Sequence, residues 1–345
     1  MELKNTTFPL VYYRMPNEKD AWFLQSEENA REISSLQNMP AETGFILYPF
    51  SLESSSRPLF IQAYKHIQRS LDDLILDNIN WNVKSKTSFE KTKTKEEYCR
   101  DIASAVDFIN TREIHKVVLS RMKLIDTTSF QNPLEIFTKL CNKYPAAFIS
   151  LVYIPGKVLW ITATPELLVS ASKHEIKTVS LAGTKPANST EEWGEKEKME
   201  QQIVTDYIHG ILKQYCENVT VSDAQEAIAG NVKHLKSSFS AILQKGLWSL
   251  VSALHPTPAV CGIPLAKAEE FIARTEQYNR KYYAGFLGPC NVEGNTNLFV
   301  NLRCAEVFTD SVNLYIGGGI TGDSIPEKEW EETELKSRTL LAVLQ

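Results

Sequence analysis

Apolar and polar positions alternate through Trp160–Pro186, WITATPELLVSASKHEIKTVSLAGTKP. Leu159, Ile161 and Ala163, then Ile176, Val179 and Leu181, mark two strands joined near Ser172-Lys173-His174. Two features are foreign to a plain hairpin. A carboxylate, Glu166, follows Pro165 at the end of the first strand and leads into Leu167-Leu168-Val169. The second strand runs into Ala182-Gly183-Thr184, a small-residue turn where a ligand could approach the backbone closely.

The same reading places further elements on either side. Before residue 90, the short apolar runs Phe8–Tyr13, Gly44–Phe50 and Pro58–Ala63 predict strands, and Lys84–Lys95 predicts a polar surface connection. From Thr94 the spacing of Tyr98, Ile102, Ala105, Val106 and Ile109 predicts a helix ending near Thr111. A strand His115–Arg121, a helix Pro133–Lys143 and a strand Ala147–Tyr153 follow. Beyond Pro186 a helix from Glu191 to about Tyr215 carries the stripe Ile203, Val204, Tyr207, Ile208, Ile211 and Leu212. Helices Leu247–Leu254 and Pro264–Thr275 flank the rigid turn His255-Pro256-Thr257-Pro258-Ala259. Two long strands, Asn297–Phe308 and Ser311–Ile316, lead to a last helix.

Composition narrows the class. Hydrophobic residues at 43% and charged residues at 23% suit a globular chain whose 345 residues can bury a sizeable core. No window reaches 18 uninterrupted apolar residues, so no membrane span is expected. MELKNTTFPLVYYR lacks the apolar stretch and cleavage site of a secretory signal. Six scattered cysteines without a C-x-x-C pair argue against zinc and a disulfide framework, and suit the cytoplasm. A net charge of −5 disfavours nucleic acid as a partner but allows a small anionic substrate where basic groups concentrate.

Several charged residues sit in unusual places. Lys116 opens its strand and shares a face with Val118 and Ser120. Glu200 lies one turn before the apolar stripe of its helix, either as a solvated first-turn residue or as a ligand pointing into a cavity. Arg303 shares a strand face with Phe299, Asn301, Ala305 and Val307, and needs an anionic partner if buried. Gly317-Gly318-Gly319-Ile320-Thr321-Gly322 spells G-x-G-x-x-G, but no second parallel strand or ribose-binding acid follows, which rejects a dinucleotide fold. The glycines read instead as backbone N–H groups opened toward a bound carboxylate. Glu329, Glu332 and Lys336 line one side of the last helix, where a surface Glu332–Lys336 pair would contribute only about 0.3–0.5 kcal/mol.

Taken in order, the local motifs are KVVLSR (116–121), ATPELLVS (163–170), SLAGT (180–184), LHPTPAVCG (254–262), YYAGFLG (282–288), LRCAE (302–306), GGGI (317–320) and EWEETELK (329–336). This series resembles the chorismate-utilising enzymes, and among them most closely the isochorismate synthases. The resemblance covers roughly 94–345, the expected catalytic region. Residues 1–93 carry no motif and are expected to belong to the same fold.

The resemblance implies one large α/β (α+β) domain, with two antiparallel sheets, helices packed outside and the active site between the sheets. It implies a reversible, Mg²⁺-dependent conversion of chorismate to isochorismate, which feeds menaquinone or siderophore synthesis. Water adds at ring C2 and the C4 hydroxyl leaves. Carried over, Lys116 is the general base and Glu166 the general acid. Glu200 and Glu332 hold Mg²⁺, with Glu329 in its outer shell. Arg303, Gly317, Gly318, Gly319, Gly183, Thr184 and Lys336 bind the substrate's carboxylates, and Ala182, Leu254 and His255 complete the substrate site. Lysine at position 116 together with alanine at 182 points to water as the nucleophile rather than ammonia or an enzyme amine; salicylate synthases share that pair. The chain departs from the family at Gln201, where relatives commonly have histidine, and at Lys281, where they often have glycine. The expected assembly is a monomer or weak dimer without nucleic-acid or membrane partners.

Overall fold

The alternating pattern produces two large antiparallel sheets in the computed structural model, which describes residues 7–52, 56–75, 77, 79–85, 92–111, 114–126 and 132–344. Among the described residues one sheet has nine strands, in the spatial order Gly262–Ile263, Lys116–Asp126, Ser311–Ile320, Cys304–Val307, Val158–Thr164, Phe148–Ile154, Leu10–Arg14, Ala21–Gln25 and Lys65–Arg69. The other runs Cys216–Val221, Val232–Leu243, Glu175–Pro186, Leu167–Ser172, Asn295–Val300, Phe286–Cys290, Gly44–Tyr48, Leu59–Gln62 and Arg31–Glu32, and Gln225–Ala229 also pairs with Val232–Leu243. The N-terminal segment therefore adds strands to both sheets and is not a separate unit.

Side-chain alternation explains the layering. In Leu10–Arg14, Val11 and Tyr13 belong to the core between the sheets, while Leu10 and Tyr12 belong to a second core beneath helices. Phe148 of the first sheet stacks on Phe299 of the second at 4.1 Å between ring centroids, so the inner faces interdigitate. Helices Pro133–Lys143 and Pro326–Leu344 cover the outer face of the first sheet, and Glu195–Tyr215 packs on the second. This is the expected architecture.

Helices Lys95–Thr111, Pro133–Lys143, Leu247–Leu254 and Leu265–Thr275 follow the sequence reading closely. Part of the surface connection expected over Lys84–Lys95 lies outside the described residues. The opening stretch differs in one important respect. It contains three strands, and Val158–Thr164 lies in a different sheet from Leu167–Ser172 and Glu175–Pro186. The hairpin is formed by the latter two, with Ser172 opposite Glu175. Period-2 alternation continues on both sides of Pro165, so it carries no sign that the chain changes sheets there.

A similar correction applies to Asn297–Phe308, expected as one strand. It divides into Asn295–Val300 in the second sheet and Cys304–Val307 in the first. Arg303 occupies the break, in left-handed backbone conformation with φ +49°, and does not share a strand face with Phe299. Asn301 rewires this corner. Its side-chain oxygen accepts from Thr162 Oγ1 at 2.8 Å and Trp160 Nε1 at 3.3 Å, and its amide nitrogen donates to the Tyr282 carbonyl at 2.8 Å.

Candidate active site

Two chain segments cross between the sheets side by side. Ile161 pairs with Ala305 in the first sheet and Leu167 with Phe299 in the second. Their breaks, at Pro165-Glu166 and Asn301-Leu302-Arg303, bring a carboxyl and a guanidinium into one cavity between the sheets, partly open to solvent.

Glu166 is held by its backbone. Its N–H donates to Thr164 Oγ1 at 3.2 Å, and its carbonyl accepts from Val300 N at 3.0 Å. Burial pushes its carboxyl up to about 7, against the opposing pull of Lys116, Lys336 and Arg303. Arg303 is driven down to about 10 by the same desolvation, and its Nη1 is buried without a hydrogen-bond partner among the described residues. An unpaired, buried guanidinium nitrogen is costly, and an anionic ligand would satisfy it.

Lys116 begins the strand Lys116–Asp126, and its side chain is 1% exposed. Its Nζ lies 2.7 Å from Glu200 Oε1. The neighbouring strand supplies the reason for the glycines. Gly317, Gly318 and Gly319 pair with Ser120, Leu119 and Val118 within the strand Ser311–Ile320. They are not an open nest at a strand end, as the sequence suggested, but a stretch of ladder without side chains. A Cβ at Gly319 would lie 2.8 Å from both Glu200 Oε1 and Lys116 Cε, and one at Gly317 would meet the Tyr283 hydroxyl at 2.6 Å. Only glycine lets these groups lie so close to the sheet.

The turn Ala182-Gly183-Thr184 is a bulge inside the long strand Glu175–Pro186, where the register shifts between Ala182 and Lys185 and Gly183 takes φ +65°. His234 stabilises it by donating from Nδ1 to the Gly183 carbonyl at 2.9 Å. Burial, with Arg303 and Lys336 nearby, holds this imidazole down at about 3, so it is neutral at physiological pH. Lys336 donates to the Gly317 carbonyl at 3.1 Å and pairs with Glu332 Oε1 at 2.5 Å. The expected i,i+4 pair therefore exists, largely shielded from solvent.

Lys116, Glu166, Ala182, Gly183, Thr184, Glu200, Arg303, Gly317, Gly318, Gly319 and Lys336 all line this cavity. Glu329 and Glu332 line an adjoining one that shares Thr184, and both carboxylates face Gly318. Each acid has its own lysine: Glu200 with Lys116, Glu332 with Lys336, and Glu329 with Lys196 at 3.2 Å. Among the described residues no three His, Cys, Asp or Glu side chains group closely enough to hold an ion. The Glu329 carboxyl is pushed up by burial and then by the neighbouring Glu332 charge.

Leu254 and His255 line neither cavity. Leu254 belongs to the hydrophobic core, and His255 packs edge-on against Tyr48 and Phe286 and shares a hydrogen bond with the Pro49 carbonyl at 3.2 Å. The turn they begin delivers Ala259 and Val260 to the wall instead. Sequence reasoning also missed His234 and Tyr283, both in the lining. Tyr283 lay inside the YYAGFLG motif, whereas His234 sat in NVKHLKSS, a segment given no element.

The family model for the chorismate binding enzymes matches residues 48–345. The chain belongs to the chorismate-binding enzymes. Isochorismate synthase EntC of Escherichia coli K12 is 27% identical over 332 residues, covering 92% of this chain and 82% of that protein. Two solved structures share the fold of this chorismate-binding enzyme. A protein described as a putative 2,3-dihydroxybenzoate-specific isochorismate synthase, DhbC of Bacillus anthracis, superposes with a TM-score of 0.82 at 22% identity, covering 97% of this chain and 96% of its own. MenF, the menaquinone-specific isochorismate synthase of Escherichia coli, gives 0.82 at 22% identity, covering 99% and 90%.

Proposed function

We propose that this chorismate-binding enzyme is an isochorismate synthase, an isomerase that adds water at C2 of chorismate as the C4 hydroxyl departs. The observation that carries the reading is the pairing of a buried carboxyl raised to about 7 with a buried lysine in one cavity, beside an unsatisfied arginine nitrogen. An acid, a base and an anion site are what this exchange of hydroxyl groups requires.

Arg303 and Lys336 bind and orient carboxylate oxygens of the substrate, which supply the partner Arg303 Nη1 lacks. Lys116 Nζ, acting as the neutral amine, receives a proton from the attacking water as its oxygen bonds to C2 and becomes an ammonium beside Glu200. Glu166 gives its proton to the C4 oxygen, which departs as water while the double bonds shift. One water is consumed and one released, and solvent returns the two side chains to their starting states. Ala182 leaves space beside the ring and supplies no competing amine.

Although no three acids converge among the described residues, Mg²⁺ needs only one or two protein carboxylates beside water and substrate oxygens, so the acidic face suits it. Its donors are hard carboxylate oxygens, and the Glu332 charge that raises the Glu329 carboxyl is a repulsion a cation relieves. Glu200 and Glu332 would hold the ion, with Glu329 in its outer shell. Bound there, Mg²⁺ would neutralise negative charge on the substrate's ring carboxylate.

Chromatographic analysis of products from chorismate, with Mg²⁺ and again with chelator, tests the reading. Isochorismate that forms only with metal is expected. Anthranilate from added ammonium, or salicylate with pyruvate as early products, would assign a different member of the family.

A further inference from the structure

The strand bearing Lys116 is incompletely paired. One edge is matched to Ser311–Ile320 along its length, but among the described residues the other meets only the strand Gly262–Ile263, opposite Val117 and Lys116. The next link is Val118 N–H to the Cys261 carbonyl at 2.8 Å. Beyond it, two side chains take the place of a strand. Arg280 Nη2 donates to the Val118 carbonyl at 2.7 Å, and Glu276 Oε1 accepts from Ser120 N–H at 2.6 Å.

These two side chains hold each other as well. Arg280 Nε and Nη2 lie 2.7 and 2.6 Å from Glu276 Oε2 and Oε1, and Arg280 Nη1 donates to the Val260 carbonyl at 3.0 Å. The Ser120 hydroxyl donates to Glu276 Oε1 at 2.8 Å. Arg280 and Glu276 are 4% and 8% exposed, and the guanidinium lies over the Phe50 ring at 4.4 Å. Val118 and Val260, the residues whose carbonyls Arg280 clasps, both line the cavity, and Lys116 is two positions from Val118 on the same strand face. Only a planar fork with donors on several sides can reach two carbonyls and a carboxylate at once.

We infer that the Glu276–Arg280 pair is a positioning device for Lys116, standing in for a missing strand and fixing the Val118 and Val260 wall beside the base. The inference rests on the proposed role of Lys116. Neither side chain lines the cavity, so the pair acts through the backbone it clasps. Loss of that clasp should impair turnover more than substrate binding, because Arg303 and Lys336 come from other elements.

The test compares Arg280→Lys and Arg280→Ala with wild type in steady-state kinetics and in amide hydrogen exchange. Arg280→Lys should lose on the order of 10–100-fold in kcat with KM within about 2-fold, the pattern of a misplaced catalytic group. Millimolar guanidinium should restore part of the kcat of Arg280→Ala. Exchange in Arg280→Ala should quicken at 116–121 and 257–263 and remain unchanged over Glu175–Pro186. Exchange reads the clasp even if the wild type makes no isochorismate, so failure of the clasp and failure of the proposed reaction are distinguishable. Wild-type kcat, or unaltered exchange at 116–121, in folded Arg280→Ala would overturn the inference. If Arg280→Ala does not fold, Ser120→Ala removes one contact to Glu276 and should lower kcat several-fold with KM unchanged; wild-type kcat there would count against it.

Discussion

Burial raises the Glu166 carboxyl to about 7, so near neutrality the group is part protonated. Its role as proton donor requires the protonated form, so chorismate turnover should fall as pH rises through about 7. Glu166→Gln cannot donate the proton and should lose about 10²–10⁴-fold in kcat while still binding chorismate. Stability gives a second reading of the same group. An unfolded Glu ionises near 4.5, whereas the folded one holds its proton to about 7, so the native state binds more protons between those values. Its contribution to stability is present below 4.5 and lost as pH rises through about 7. In urea denaturation, Glu166→Gln should gain on wild type between pH 5 and pH 8; an advantage independent of pH would contradict the shift. Lys116, Glu166 and Arg303 were legible in the sequence because charges beside apolar runs are conspicuous and their motifs are specific. His234 and Asn301 were not, since their importance lies in the Gly183 carbonyl and the Trp160, Thr162 and Tyr282 groups they meet across the fold.

Four helices were read nearly to the residue, because a buried stripe at helical spacing has one interpretation, whereas the helix expected from Glu191 begins at Glu195 and the short Leu71–Ile75 was not read. Strand sheet membership was not legible at Pro165 or Arg303, because alternation survives a change of sheet. Those two breaks form the site, so the most functional corners were the ones the pattern described least well. The glycine strand allows a contrast within one element. Gly319→Ala would force a Cβ to 2.8 Å from the Lys116–Glu200 pair, whereas Gly318→Ala meets Glu332 Oε1 at 3.5 Å and Glu329 Oε2 at 3.7 Å, ordinary contact distances. Gly319→Ala should fold yet lose most kcat/KM, and Gly318→Ala should retain within about tenfold of wild-type activity. Equal activity in the two variants would show that the pair tolerates displacement.

At the scale of the molecule, the absence of motifs before residue 94 conceals a structural dependence. Leu10–Arg14, Ala21–Gln25 and Lys65–Arg69 extend the first sheet, and Arg31–Glu32, Gly44–Tyr48 and Leu59–Gln62 extend the second. Cutting the chain to 94–345 would bare the Phe148–Ile154 and Phe286–Cys290 edges and expose Phe148 and Phe286, both buried. The shortened chain should be insoluble or aggregate in size-exclusion chromatography; a soluble, cooperatively unfolding product would contradict this. No described helix is long and apolar enough to cross a membrane. The central claim concerns the whole arrangement: Lys116 and Glu166 in one cavity serve water addition at C2. Early product from chorismate in H₂¹⁸O, resolved by chromatography and mass spectrometry, tests it most directly. The account predicts isochorismate carrying one ¹⁸O at the C2 hydroxyl, formed by the wild type and lost in Lys116→Gln. Unlabelled isochorismate, or labelled isochorismate formed at the wild-type rate by Lys116→Gln, would contradict it.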